Sequence, residues 1–205
     1  PVSLGEFMTT EIFIFTNGRP TTLPAIEYGA WLGASLRTPV RLVGVDEDPS
    51  PSQIDEDVHP LESVFEKAVE IFLKAGTDYH LEVQQGHAEE VIPQRVKGQD
   101  ALVVVGPLGR PPLKRFLSGR SFRDIMEQVA APIVYVPQVK LPLKKMLVCL
   151  GGLGYEVTAE TLAMRLATMT KAEVVLLTVV PPVDFDYPEA RVVRENWQHL
   201  ADTDT

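Results

Sequence analysis

Short apolar runs along this chain alternate with longer stretches in which apolar residues recur every three or four positions, the spacing of a helix face. Residues 12–15 form the first run and end at a Thr-Asn-Gly turn signal, and residues 40–45 form the second. Between them, residues 23–36 carry apolar side chains at helical spacing. Because two strands joined through a helix lie parallel in one sheet, this pattern predicts a β-α-β unit.

The same alternation continues to residue 137 and predicts a complete α/β domain. Its remaining elements are a helix with Val64, Phe65, Val69, Phe72 and Leu73 on one face, a strand at 79–83, a helix at 86–96, a strand at 101–105, a helix that opens near Gly119 and a strand at 133–136. Five strands and four helices in alternation favour an open, doubly wound parallel sheet, because crossovers between parallel strands are right-handed.

A glycine-rich segment follows the strand at 101–105. It reads Gly-Pro-Leu-Gly at 106–109, then nine residues, then Gly119. Glycines at the carboxyl end of a strand let backbone N–H groups close on an anion, and the start of the next helix adds partial positive charge. Residues 110–124 also hold five Lys or Arg and one acid, in a chain of net charge −9. This local excess of positive charge indicates an anionic ligand.

The spacing of these glycines separates the known phosphate loops. A Walker loop needs a Gly-Lys pair, and the chain has none; the dinucleotide pattern G-x-G-x-x-G is absent after the strand too. The pattern present, G-x2-G-x9-G, resembles the nucleotide loop of the universal stress protein family. That resemblance covers residues 11–137 fully and 144–182 as a second, partial copy. It implies a sheet of order 3-2-1-4-5, ATP binding, dimers formed through the last strand, and a regulatory role in stress response.

The resemblance also implies a set of nucleotide-binding residues. The three glycines would line the phosphates, the backbone of Val45 would contact adenine, and Asn17 would lie near the nucleoside. Asn17 stands where the family usually has an acid, and Arg120 stands where it usually has a hydroxyl residue. The full candidate set is Thr16, Asn17, Val45, Gly106, Gly109, Arg110, Gly119, Arg120 and Ser121.

Two interpretations of Arg120 stay open. As a ligand of phosphate it makes the chain an ATP-binding module, with or without Mg²⁺. As an occupant of the phosphate site it makes the chain a nucleotide-free interaction or scaffold module. In either case we expect no catalytic residues and little or no ATP hydrolysis, because hydrolysis also needs a positioned water and a metal holder. The chain is therefore not expected to be an enzyme.

After residue 137 the sequence repeats itself at a constant offset of 134 residues. The matching apolar pairs are Ile12 and Met146, Ile14 and Val148, Ala25 and Ala159, Leu32 and Leu166, Val40 and Val174, Leu42 and Leu176, and Val45 and Val179. We expect a nucleotide-binding domain at 8–137, a linker at 138–143, and a partial second unit of β-α-β-α type at 144–205. Its elements are a strand at 146–150, a helix at 157–170, a strand at 173–180 and a helix at 188–200.

The second unit has no counterpart of the glycine segment, so we expect one nucleotide site per chain. The sequence thus suggests a tandem protein whose second unit is truncated. Half a unit leaves sheet edges without partners, and such edges associate readily. We therefore expect a homodimer or a chain-completing association, through the last strand and the partial unit.

Composition narrows the remaining functions. Hydrophobic residues make up 45% and charged residues 23% of the chain, which is ordinary for a globular protein, and the acidic balance argues against nucleic acid and anionic membranes as partners. The longest apolar run near the carboxyl terminus, 174–183, is too short to span a bilayer. The four histidines are scattered, so no metal site is expected. The single cysteine, Cys149, fits a reducing cytoplasm.

Overall fold

A computed structural model describes residues 10–47, 59–108, 122–150 and 158–178 of the chain. Of the expected elements, the helix at 188–200 lies outside these residues. The elements observed are β1 (Glu11–Thr16), α1 (Leu23–Leu36), β2 (Val40–Asp46), α2 (Pro60–Ala75), β3 (Tyr79–Gln85), α3 (Ala88–Val96), β4 (Ala101–Val105), α4 (Phe122–Gln128), β5 (Ile133–Tyr135), β6 (Lys145–Leu150), α5 (Thr158–Thr170) and β7 (Glu173–Thr178). The predicted strands and helices inside the described ranges are therefore confirmed, with ends that shift by a few residues.

Helix α2 is observed as predicted, but one residue of its expected apolar face is exposed. The helix starts with Pro60 behind the N-cap His59, and Gly76 ends it in the left-handed conformation (φ 66°). Its buried residues are Leu61, Val64, Ala68 and Phe72. Leu73 was expected on the same face but is 68% exposed. One residue turns a helix by about 100°, so the position after Phe72 points away from the sheet.

The first five strands form one parallel sheet of order β3-β2-β1-β4-β5, as predicted. The chain moves outward from β1 to β3 and then crosses to β4, so right-handed crossovers place α1 and α2 on one face and α3 and α4 on the other. Strand β1 supplies both cores: Ile12 and Ile14 pack on the first face and Phe13 and Phe15 on the second, all with 0% exposure. Burial on both faces explains the continuous apolar runs.

Strands β6 and β7 form a separate parallel pair. Met146 pairs with Val174 in the same way as Ile12 pairs with Val40 between β1 and β2. Met146 and Val174 lie 134 positions after Ile12 and Val40, respectively. Helices α1 and α5 also end alike, since Arg37 and Lys171 have φ values of 55° and 56°. The division of the chain into a complete and a partial domain stays a prediction, and these equal local geometries support it.

An ionic network crosses the α3 face of the sheet. Arg41 forms salt bridges with Glu11 (Nη2 to Oε1, 2.8 Å) and with Glu82 (Nη1 to Oε2, 3.3 Å). Arg95 donates to both carboxylate oxygens of Glu82, from Nε at 2.6 Å and from Nη2 at 2.9 Å. Both guanidinium groups lie over the ring of Phe13, at 5.9 and 5.0 Å. The hydrogen bonds from Arg95 lower the pKa of Glu82 from 4.5 to about 2. The network ties β1, β2, β3 and α3 together.

Within the described ranges, no helix is both long and apolar enough to cross a membrane.

Candidate functional site at the carboxyl ends of β1, β2 and β4

Strands β1 and β4 are neighbours at the point where the strand order reverses. The chain leaves β1 towards α1 on one face, whereas it leaves β4 towards α4 on the other. Diverging loops at such a point open a crevice beyond the carboxyl ends of the strands, and open α/β sheets bind ligands there. Thr16, Asn17 and Gly106 lie at the carboxyl ends of β1 and β4, where this crevice is expected, and Val45 is the last residue but one of the neighbouring strand β2.

Asn17 joins the two loops across the crevice. Its Nδ2 donates to the carbonyl of Leu108 (2.8 Å), and its Oδ1 accepts from the backbone N–H of Arg19 (3.4 Å). The carbonyl partner requires the NH2 end of the amide to face Leu108. An aspartate has no hydrogen to donate there and would place a negative charge against a carbonyl oxygen. Asparagine at this position, where the resemblance implies an acid, thus has a structural reason.

Thr16 uses its hydroxyl inside the protein. Its Oγ1 accepts from the N–H of Gly18 (3.2 Å) and lies 2.6 Å from the Oγ1 of Thr22, which donates to the carbonyl of Arg19 (2.7 Å). The single hydrogen of Thr22 goes to Arg19, so Thr16 is the donor between the two hydroxyls. Both threonine side chains are buried. This chain of bonds shapes the turn after β1 and engages the Thr16 hydroxyl within the protein.

Val45 lies beside the crevice and is almost completely buried. The whole residue, backbone included, is 2% exposed, and its side chain packs in the α3-side core. The N–H of Ile12 donates to the carbonyl of Pro39, and in a parallel ladder alternate residues face the same neighbour, so the carbonyl of Val45 also faces β1. The β1 and β2 ladder ends at Thr16 and Gly44, and the next amide, of Gly18, bonds to Thr16 instead. The carbonyl of Val45 therefore lies at the open end of the ladder.

Two glycines set the shape of the site. A Cβ on Gly106 would lie 3.3 Å from the Cβ of Ala25 and 3.4 Å from the carbonyl oxygen of Thr21, so this glycine lets β4 end tightly against the start of α1. Gly18 has φ +77°, and a Cβ there would lie 2.9 Å from the N of Leu61. Gly18 thereby packs the β1 loop on the start of α2. The Thr-Asn-Gly signal in the sequence predicted a turn here but not this contact.

The other candidate residues, Gly109, Arg110, Gly119, Arg120 and Ser121, lie outside the described residues. Their roles at the phosphates stay predictions, as do the nucleotide contacts of the residues described above. In the part of the chain that the structure describes, no three His, Cys, Asp or Glu side chains group in a way that could hold a metal ion.

Solved structures with the same fold include several universal stress proteins. One from Archaeoglobus fulgidus DSM 4304 has 16% identity and a TM-score of 0.60, and the match covers 95% of this chain and 74% of that one. A universal stress protein in complex with cAMP has 17% identity and a TM-score of 0.49, with 62% and 96% covered. An Archaeoglobus fulgidus protein in complex with dAMP has 15% identity and a TM-score of 0.42, with 63% and 98% covered. At 16% identity, the likeness to the first of these structures shows the fold alone.

No curated protein sequence matches this chain significantly. The model of the universal stress protein family, in contrast, matches residues 8–137, more than half of the 205 residues, and spans the whole five-stranded sheet with its crevice. The chain belongs to the universal stress protein family.

Proposed function

We propose that the crevice binds one adenine nucleotide, ATP in the first instance, and that the chain acts as a nucleotide-responsive regulatory module in stress response. One observation carries the proposal. At the point where the strand order reverses, Asn17 and the loop after β4 meet at 2.8 Å, and the carbonyl of Val45, beyond the last β1–β2 pair, lies on the neighbouring strand. Backbone groups of three strands thus converge where a parallel α/β sheet takes its ligand.

Adenine fits the Val45 end of this crevice. Its exocyclic amine is a donor, and the carbonyl of Val45 is an acceptor at the end of a rigid, buried strand. The triphosphate would then extend towards the segment after β4, where the sequence gathers Arg110, Arg120 and three glycines. Charge-assisted hydrogen bonds from arginine to phosphate contribute about 1.5–3 kcal/mol each.

Little or no hydrolysis is part of the proposal. Phosphoryl transfer needs an in-line water, charge stabilisation and a group that holds the metal ion. Asn17 is neutral, its NH2 group is engaged by Leu108 and its oxygen by Arg19. It is therefore poorly suited to orient a water or a metal ion beside the phosphates. We expect phosphate release from ATP at a rate far below that of a dedicated ATPase.

Calorimetry on the purified chain tests nucleotide binding. The protein is first unfolded and refolded to remove any nucleotide, then titrated with ATP, AMP and, as a base control, GTP. The expected result is one site per chain, with ATP preferred over GTP. Absence of binding at millimolar ATP, in protein whose circular dichroism matches the untreated sample, would show that the crevice does not take the nucleotide.

The variant Arg120→Ala separates ATP binding from the alternative, a nucleotide-free scaffold module. If Arg120 contacts phosphate, removing it weakens ATP binding by about tenfold or more. If Arg120 fills the phosphate site, removing it creates or strengthens binding. Lys74→Ala, at the exposed end of α2, is the matched loss of one positive charge and should leave binding unchanged.

We further propose that the chain forms a homodimer through β5, which with β3 is one of the two outer strands of the sheet. The single cysteine suits a reducing cytoplasm as the place where the protein acts. Strand β5 has three residues and pairs, among the described strands, with β4. Light scattering with and without ATP tests the assembly. A monomer mass across micromolar to millimolar protein in both conditions would contradict it.

A further inference from the structure

A groove lies between helix α2 and the outer strand β3, at the edge of the sheet that β3 forms. Its volume is about 470 Å³. Its floor is formed by apolar side chains of both elements, namely Leu61, Phe65, Val69, Leu81 and Val83. Gly44 explains why the groove exists: its missing side chain lets Phe65 and Leu61 settle on β2, so α2 covers β2 and leaves β3 partly bare. Leu81 and Val83 are consequently 40% and 54% exposed.

The same strand presents an unpaired backbone edge. Among the described residues, β3 pairs with β2 and with no other strand. The carbonyl of Asp78 accepts from Val40 and the N–H of Gly86 donates to Asp46, so the even-numbered residues of β3 face β2. In a parallel ladder the alternate residues, from Tyr79 to Gln85, direct their N–H and C=O groups outward. Leu81 and Val83 thus combine an outward backbone with a side chain on the groove floor.

The rim of the groove is acidic. Asp46, Glu62 and Glu66 line it, together with His59. The segment that follows Asp46 along the chain, residues 48–58, has four carboxylates and no Lys or Arg, so its charge does not complement this rim. A partner with positively charged side chains would complement the negative charge of this rim.

We propose that this groove binds an extended segment of a partner protein, in which apolar residues alternate with Lys or Arg, as an added strand beside β3. Main-chain hydrogen bonds to the outward groups of β3 would supply affinity, and apolar side chains would enter the groove at every second position. The basic side chains would meet the carboxylates of Glu62 and Glu66. This outer strand of seven residues has neither Pro nor Lys, two of the usual protections against such pairing, and its charged Glu82 is engaged by Arg41 and Arg95. The groove adjoins the β2 side of the nucleotide crevice, but the proposed strand would contact β3 and α2, and the proposal does not rest on nucleotide binding.

A fluorescently labelled octapeptide of alternating Val and Lys, capped at both ends, is a suitable probe. Anisotropy with the full chain should show saturable binding, and the Val and Glu analogue should bind at least about tenfold more weakly. A Val and Lys peptide N-methylated at alternate residues should also lose binding, since it cannot donate to β3. Val83→Lys should weaken binding by about tenfold, through lost apolar contact and like charge. Glu62→Gln with Glu66→Gln should weaken it by about fivefold.

Leu73→Lys is the matched control, because Leu73 lies on the solvent side of α2 with 68% exposure. It should leave peptide binding unchanged. Equal binding of the Lys and Glu peptides, or of the N-methylated peptide, would overturn strand addition. So would hydrogen exchange showing the amides of Leu81 and Val83 already protected in the free protein, since the chain's own segment would then cover the edge. Self-association abolished by Val83→Lys would assign the groove to a second copy and likewise overturn the proposal.

Discussion

Replacing Glu82 by Gln should destabilise the fold measurably, because Glu82 is the carboxylate that both arginines of the ionic network share. Its side chain is 17% exposed, and it receives two hydrogen bonds from Arg95 and one from Arg41. The pKa falls from 4.5 to about 2 in the folded chain. Each pKa unit corresponds to about 1.4 kcal/mol, which sets an upper limit near 3 kcal/mol. Residual solvent exposure reduces this, and we expect about 2 kcal/mol at pH 7.

The pH dependence gives this prediction a sign. A carboxyl group whose pKa is depressed by folding stabilises the protein above its unfolded pKa, here 4.5, and the contribution is lost as the pH falls towards 2. The glutamine variant cannot lose it. The stability gap between the two proteins should therefore be full at pH 7 and narrow by about half by pH 3.

Urea unfolding at pH 7, 5 and 3, followed by tryptophan fluorescence and circular dichroism, measures this gap. Glu173→Gln is the matched control, because the Lys145 and Glu173 pair has a similar distance, 2.9 Å, but side chains more than 60% exposed. The control should lose about 0.5 kcal/mol or less. If Glu82→Gln costs no more than Glu173→Gln at pH 7, or if its cost stays constant down to pH 3, the network does not stabilise the sheet as reasoned.

Three further substitutions test the crevice. Gly18→Ala should cost about 2–3 kcal/mol in urea unfolding, because it combines φ +77° with a backbone contact at 2.9 Å, whereas Gly76→Ala, at φ +66° with open space around it, should cost about 1 kcal/mol. Asn17→Asp should cost about 1–2 kcal/mol through the lost bond to Leu108, measured the same way; an unchanged midpoint would show that this bond is not formed. Gly106→Val should cost about 1–3 kcal/mol by forcing β4 away from α1, and wild-type stability would refute the close packing.

Periodicity was sufficient for the elements of the sheet because both faces of β1, β2 and β4 are buried. A strand that is apolar on both sides, such as Ile12 to Phe15, is distinct from the amphipathic helices around it. Periodicity was not sufficient for the order of the strands in the sheet. Alternation of strands and helices allows more than one order, and the order 3-2-1-4-5 came from the family resemblance before the structure showed it.

Contacts between distant segments explain what the sequence did not predict. The network of Glu11, Arg41, Glu82 and Arg95 joins three strands and a helix, and no spacing along the chain relates these residues. In the sequence Gly18 is only one residue of a turn motif, and its contact with the start of α2 becomes evident only in the structure. The groove beside β3 depends on where α2 lies across the sheet, which Gly44 decides and helical periodicity does not.

The two ends of the sheet are held by different kinds of bond, and this difference bears on function. The network near the start of β1 and β2 is ionic, so acid weakens it. The turn at the other end is held by neutral groups, the hydroxyls of Thr16 and Thr22 and the amide of Asn17. Asparagine in place of an acid at position 17 means that this position adds no carboxylate to repel phosphate. Moderate acid should thus lower the stability of the fold before it alters the described part of the crevice.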